Sequence, residues 1–218
     1  MKLTRLLALL VAAGCASGPT ATPDPPMPQP TPAEVAALRA DLAEMFVERG
    51  AFDAALPLLQ EAQRLTPQSA RIHLLLGIVL RDRGVRSQAE QELKLALQIE
   101  PKNARALTAL GVLYDQERRF ADAEQAHRSA VELARDCVKC WNNLGFSLYL
   151  GHKDRAAVDA YETALRLDPN ARLVYNNLGF AYGRLGDEAA ALRAFRQAGG
   201  EERARKNLAL CRLLRGQP

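Results

Sequence analysis

Trp141-Asn142-Asn143-Leu144-Gly145-Phe146 and Tyr175-Asn176-Asn177-Leu178-Gly179-Phe180 repeat one phrase, an aromatic residue followed by Asn-Asn-Leu-Gly-Phe, at a distance of 34 residues. Stepping by 34 from this phrase gives Leu42, Leu76, Leu110, Leu144 and Leu178. The next position gives Ala43, Gly77, Gly111, Gly145 and Gly179. Two further columns are alanine throughout: Ala55, Ala89, Ala123, Ala157 and Ala191, then Ala62, Ala96, Ala130, Ala164 and Ala198. A fixed period of this length signals supersecondary units that stack on one another.

Each unit holds two helical patterns split by a turn. In unit four the first runs from about Cys140 to Leu150 and the second from about Arg155 to Leu167, with Gly151-His152 between them. Asp168-Pro169-Asn170 ends the unit, and Pro67 and Pro101 hold the same place earlier, where proline stops a helix. Gly50, Gly84 and Gly186 fall at the mid-unit turn, where a positive φ costs glycine little. The small columns predict close helix crossings, glycine or alanine on the first helix facing alanine on the second. Trp141, Tyr175, Tyr114, Phe195, Tyr161, Leu59 and Leu93 are expected to fill the remaining space. Pro57 is expected to disturb the start of its helix.

This pattern predicts an all-α fold, an α-solenoid of five helix-turn-helix units at 36–69, 70–103, 104–137, 138–171 and 172–200, within a repeat region spanning 33–200. A last helix, about Glu202 to Arg215 within 201–218, is expected to place Leu208, Leu210, Leu213 and Leu214 on unit five. Arg203, Arg205, Lys206, Arg212 and Arg215 would face water. A stacked array needs such a polar cap.

Small-x-x-aromatic-x-x-Leu-Gly-x-x-Tyr, followed by Ala, aromatic, Ala and Pro, resembles the tetratricopeptide repeat signature from about Ala36 to Gly199. Ala43 replaces glycine in unit one, Arg135 replaces proline in unit three, and His127 stands where an aromatic is usual. The resemblance implies a concave groove lined by the first helix of each unit. It places Asn142, Asn143, Phe146 and Tyr149 in or near that groove, with Asn176, Asn177, Phe180 and Arg184 as their counterparts in unit five. Relatives use an asparagine ladder at the positions of Asn143 and Asn177 to hold an extended peptide. An amide supplies both an acceptor and two donors for that purpose. The other reading is that Asn-Asn is a habit of the repeat without contact. The basic clamp by which some relatives grip a C-terminal carboxylate is not complete here.

Lys2 and Arg5 precede an apolar run, Leu6 to Ala13, too short to span a bilayer as a helix. It fits a secretory leader over 1–14. Val11-Ala12-Ala13-Gly14-Cys15 resembles the bacterial lipobox, with Ala12 where leucine is usual. The resemblance implies that Cys15 is acylated. Ala16, in place of aspartate, implies the outer membrane, with the protein on its periplasmic face. Residues 15–32 carry seven prolines after the cysteine and read as an extended tether, reaching up to roughly 50 Å at about 3.1 Å per residue. An ordinary cleaved leader and plain disorder are the bland alternatives.

Of the 218 residues, 48% are hydrophobic and 25% charged, which excludes a polytopic membrane protein. The net charge of +4 is too small to argue for nucleic acid. No phosphate-binding glycine loop, nucleophile turn or metal-ligand spacing occurs. His73 and His127 occupy aromatic columns and His152 a turn. Catalysis, metal, cofactor and small-molecule substrate are therefore not expected. Cys137-Val138-Lys139-Cys140 reads as a structural staple or two small packing residues, with redox chemistry as the sharper alternative, and Cys211 reads as a buried small residue.

The expected function is non-enzymatic: a lipid-anchored scaffold holding a protein or extended peptide in its groove. The sequence is similar to tetratricopeptide lipoproteins of pilus and secretin assembly, and Lys206-Asn207-Leu208-Ala209-Leu210 resembles those of tight-adherence systems. A cytoplasmic scaffold without acylation and an accessory to thiol chemistry through Cys137 and Cys140 are the rival readings.

Overall fold

Thr31 and Pro32 start the helical array. The Thr31 hydroxyl accepts the Glu34 N–H, and the Glu34 carboxylate accepts the Thr31 N–H at 2.7 Å. That capping box satisfies two end donors at once, and proline suits a first helical position because its missing N–H would have no partner there. The computed structural model describes residues 29–216. The leader, Cys15 and the proline-rich stretch through residue 28 lie outside them. Helix α1, Pro32–Glu48, starts four residues before the expected first unit and takes in the last residue assigned to the tether.

The helices that follow are α2 (Phe52–Leu65), α3 (Ala70–Asp82), α4 (Arg86–Ile99), α5 (Ala104–Gln116), α6 (Phe120–Leu133), α7 (Val138–Leu150), α8 (Asp154–Leu167), α9 (Arg172–Leu185) and α10 (Glu188–Leu214). The fold is an all-α solenoid, and α2 runs unbroken through Pro57. Five identical turns join the helices within units. Residues 50, 84, 118, 152 and 186 all have positive φ, and the next N–H returns to the carbonyl five residues back, as in Val85 N to Leu80 O at 2.9 Å. This is the helix-ending motif that favours glycine. Arg118 and His152 adopt it at φ 60 without being glycine.

Packing within a unit differs in one respect from expectation. A Cβ on Gly77, Gly111, Gly145 or Gly179 would lie 2.5–2.6 Å from Leu93, His127, Tyr161 or Phe195, respectively. The glycine column thus faces the large residue four positions beyond the first alanine, and the alanines let the backbones close around it. Tyr161 and Phe195 are fully buried. In unit one, Ala43 accompanies the smaller Leu59.

Between units, each odd-numbered helix touches the next odd-numbered helix, and each even-numbered helix touches the following odd one. Among the described residues the backbones of the even helices α2, α4, α6 and α8 stay apart, and α2 reaches α4 through a side chain, Gln63 Nε2 donating to Glu92 at 3.3 Å. The odd helices therefore form the tighter inner layer, and the array curves around them.

α10 has two arms separated by Gly200, whose φ of 80 and ψ of 179 are non-helical. The second arm buries Ala204, Leu208 and Cys211 against α9. Leu210, Leu213 and Leu214 are exposed, contrary to the expectation that they pack on unit five. The i, i+4, i+7 set Ala204, Leu208 and Cys211 takes that face. Arg215 does not simply face water. Its Nη2 donates to Glu188 Oε1 at 2.7 Å while Arg212 holds the other carboxylate oxygen. Asn207 on this arm donates to Asn176 Oδ1 at 3.0 Å, so the arm joins the row of odd-numbered helices as a half unit.

Candidate functional site: the inner face of the array

One position per unit gives Ile78, Val112, Phe146 and Phe180 along the inner face, each partly or largely exposed. Around this stripe lie three hollows. The first, about 450 Å³, is lined by residues of α1, α3, α5 and α7 and by Phe52 at the start of α2, among them Ile78, Arg105, Val112, Lys139 and Asn143. The second, about 220 Å³, shares Val112 and Asn143 and adds Asp115, Gln116, Phe146 and Leu150. The third, about 230 Å³, lies between Tyr149, Phe180, Arg184, Cys211, Leu214 and Arg215.

Two inner-face cations of units one to three, Arg71 and Arg105, are already matched. Arg71 pairs with Asp41 at 2.7 Å and with Glu44, which also pairs with Arg105. Partial burial opposes the charge on Glu44, but the two guanidinium groups win and hold its carboxyl below the usual range. Cations spent this way cannot also grip a carboxylate from outside. Lys139 makes no ion pair among the described residues.

The eight expected groove residues divide. Asn142 is 8% exposed, and its Oδ1 accepts from Asn177 Nδ2 at 3.0 Å. Asn176 is engaged by Asn207. Three of the four asparagines therefore tie neighbouring inner helices to each other. Asn143 alone keeps its amide without a side-chain partner among the described residues, and it borders two hollows. Phe146, 44% exposed, is the most open aromatic of the inner stripe. Phe180 meets Phe195 edge-on with ring centroids 5.0 Å apart. Tyr149 lies under the Arg184 guanidinium, 3.6 Å from the ring centroid. Arg184 in turn pairs with Asp154 and donates to the Tyr149 carbonyl. Burial lifts the Tyr149 hydroxyl above its usual range, with Arg184 working in the opposite direction. The unit-five end is thus braced, and the centre of the groove is open.

Sequence reasoning missed the polar knot under that centre. Asp115 Oδ1 accepts from Ser147 Oγ at 2.8 Å, and its Oδ2 pairs with His127 Nε2 at 3.1 Å. All three side chains are buried, and His127 Nδ1 has no partner among the described residues. A buried carboxylate keeps its place through such bonds. The detectable signal was Ser147 in a column otherwise filled by Met45, Val79, Leu113 and Ala181. Both ring and hydroxyl converge on the carboxylate, so the serine lacks the basic partner a nucleophile needs. His73 is likewise structural, between Glu92 at 2.6 Å and the Pro67 carbonyl at 2.9 Å. Among the described residues no group of His, Cys, Asp and Glu is placed to hold a metal ion.

Cys137 and Cys140 are joined in a disulfide at the start of α7. Cys15 lies outside the described residues, and no described helix is long and apolar enough to cross a membrane.

Curved helical arrays with an open, chemically mixed inner face form the class of repeat scaffolds that bind proteins. Two family descriptions match this chain, "Tetratricopeptide repeat" over residues 40–99 and 74–136 and "TPR repeat" over 153–186. Together they span more than half of it, and the chain belongs to the tetratricopeptide repeat family. Among solved structures it is similar to PilF of Pseudomonas aeruginosa, at 23% identity and a TM-score of 0.69, covering 84% of this chain and 91% of that one. MamA from Desulfovibrio magneticus is similar at 22% identity and a TM-score of 0.66, covering 78% and 97%. Another MamA structure gives 22% identity and a TM-score of 0.63, covering 75% and 96%. At these identities the likeness is one of fold. No curated protein sequence matches the chain.

Proposed function

We propose that the chain is a non-enzymatic scaffold that holds an extended segment of a partner protein across units three to five. The observation that carries this reading is the exposed Phe146 ring beside the unpaired Asn143 amide, in a groove whose other polar groups are mostly matched internally. Phe146 offers apolar contact, Asn143 can pair with a peptide backbone whatever its side chains, and Lys139 favours an acidic residue nearby. Phe146→Asp and Asn143→Ala should each reduce co-purification of the partner several-fold with unchanged helicity. Equal recovery from both variants would remove the groove from the account.

The setting proposed is the bacterial envelope, with Cys15 acylated and the array on the periplasmic face of the outer membrane. The Lys2–Ala13 leader pattern and Val11-Ala12-Ala13-Gly14-Cys15 support it. The resemblance to lipoproteins of pilus and secretin assembly, together with the PilF-like fold, makes an envelope assembly complex the favoured partner. Labelled palmitate should be incorporated by the natural protein and not by Cys15→Ser. Label in neither would leave a scaffold without an anchor.

A further inference from the structure

The fold makes little use of the Cys137–Cys140 bridge. In units two, three and five the same two places are held by Ser69 and Ile72, Asn103 and Ala106, and Ala171 and Val174, and those junctions close without a cystine. The bridge spans a sequence separation of 3. A loop that short removes little freedom from the unfolded chain. Its two sulfurs also differ. Cys140 is 6% exposed, packed against α5 with Thr108 Oγ1 3.9 Å from its sulfur. Cys137 is only partly buried and caps α7, its Sγ accepting the Cys140 N–H at 3.1 Å. A helix N-terminus with an N–H aimed at sulfur stabilises thiolate over thiol.

We propose that this disulfide is an exchangeable redox site, opened and closed through Cys137 by a thiol or dithiol on a protein docked nearby. An incoming thiolate attacks Cys137 Sγ, the bridge breaks, and Cys140 leaves with the electron pair and takes a proton. A second thiolate then attacks the incoming sulfur of the mixed disulfide and releases Cys137 as a thiolate held by the helix end. The net change is one protein disulfide reduced to a dithiol and two thiols oxidised to a disulfide. Lys139, between the two cysteines in sequence, lines the groove, so a partner bound there is brought close to Cys137. The site does not depend on the groove reading, because a free thiol can exercise it.

The test uses the full chain and glutathione. Cys137 in the Cys140→Ser variant should react with iodoacetamide near pH 6.5 at least about ten-fold faster than glutathione does, and Cys140 in Cys137→Ser should hardly react. In glutathione buffers the natural bridge should open while far-UV circular dichroism and the thermal midpoint stay nearly unchanged. Equal reactivity of the two thiols, an ordinary rate at Cys137, or loss of helicity on reduction would make the bridge a staple and overturn the proposal.

Discussion

The two ends of the array solve the same problem in opposite ways. At the C-terminal end the chain folds back at Gly200 and lays Ala204, Leu208 and Cys211 over α9. The solvent side of that arm carries Arg205, Lys206 and Arg212. At the N-terminal end α1 presents Leu38, Leu42 and Met45, which are 55%, 43% and 47% exposed. In every later unit the matching three positions are buried: Ile72, Leu76 and Val79, then Ala106, Leu110 and Leu113, then Cys140, Leu144 and Ser147, then Val174, Leu178 and Ala181. The residue types in unit one are as apolar as anywhere else. What differs is the neighbour, since the preceding unit's second helix is what covers those positions elsewhere. In a stacked array, burial belongs to the interface and not to the residue.

That difference can be broken most sharply at one column. Leu144→Ala should destabilise the array by about 2–5 kcal/mol, as for other buried leucines, whereas Leu42→Ala should cost under about 1 kcal/mol. Urea titrations of the two variants, followed by helicity, compare them directly. Similar costs would mean that the exposed face of α1 is covered in solution.

Gly145→Ala comes next. The new methyl would sit 2.6 Å from the buried Tyr161 ring and should cost about 1–3 kcal/mol. Unit one already pairs Ala43 in that column with a leucine, Leu59, so a Gly145→Ala, Tyr161→Leu double variant should recover part of the loss in thermal melts.

Acid should loosen both ends, and one substitution should separate them. Hydrogen bonding by Arg212, joined by Arg215, holds the Glu188 carboxyl below its ordinary value of 4.5. A carboxyl with a lowered folded-state pKa adds stability above its unfolded value, and that contribution is lost as pH falls through the folded value. The cap should therefore hold from neutral pH down to about 4.5 and loosen below it. Glu188→Gln should remove this acid step at the C-terminal arm, while the Glu44 cluster at the other end keeps its own. Hydrogen exchange of the two ends against pH gives the comparison.

The smallest effect lies in the turns. His152→Gly and Arg118→Gly relieve left-handed backbone that the other three turns already give to glycine. Each should raise stability by about 0.5–1 kcal/mol.

The fold was legible because its determinants are periodic: one spacing placed the glycine, alanine and leucine columns and so the helices. The site was legible only in outline. Asn142 and Asn177 bond at a separation of 35 residues, and Asp115 and Ser147 at 32. Whether residues so far apart meet depends on the angle between successive units, which no local pattern encodes. The repeat register marked four asparagines as equivalent candidates, yet three are consumed in joining helices and Asn143 is left. The half unit after Gly200 falls outside the register too, because its buried set Ala204, Leu208 and Cys211 follows Val174, Leu178 and Ala181 by 30 residues and not 34.

Photocrosslinking from the groove tests the central claim most directly. A photoreactive residue in place of Phe146, compared with one in place of the exposed Asp159 on α8, should give a discrete protein adduct in cells from position 146 and none from 159. Adducts from 159 alone, or the same adducts from both, would contradict a scaffold that works through its inner face.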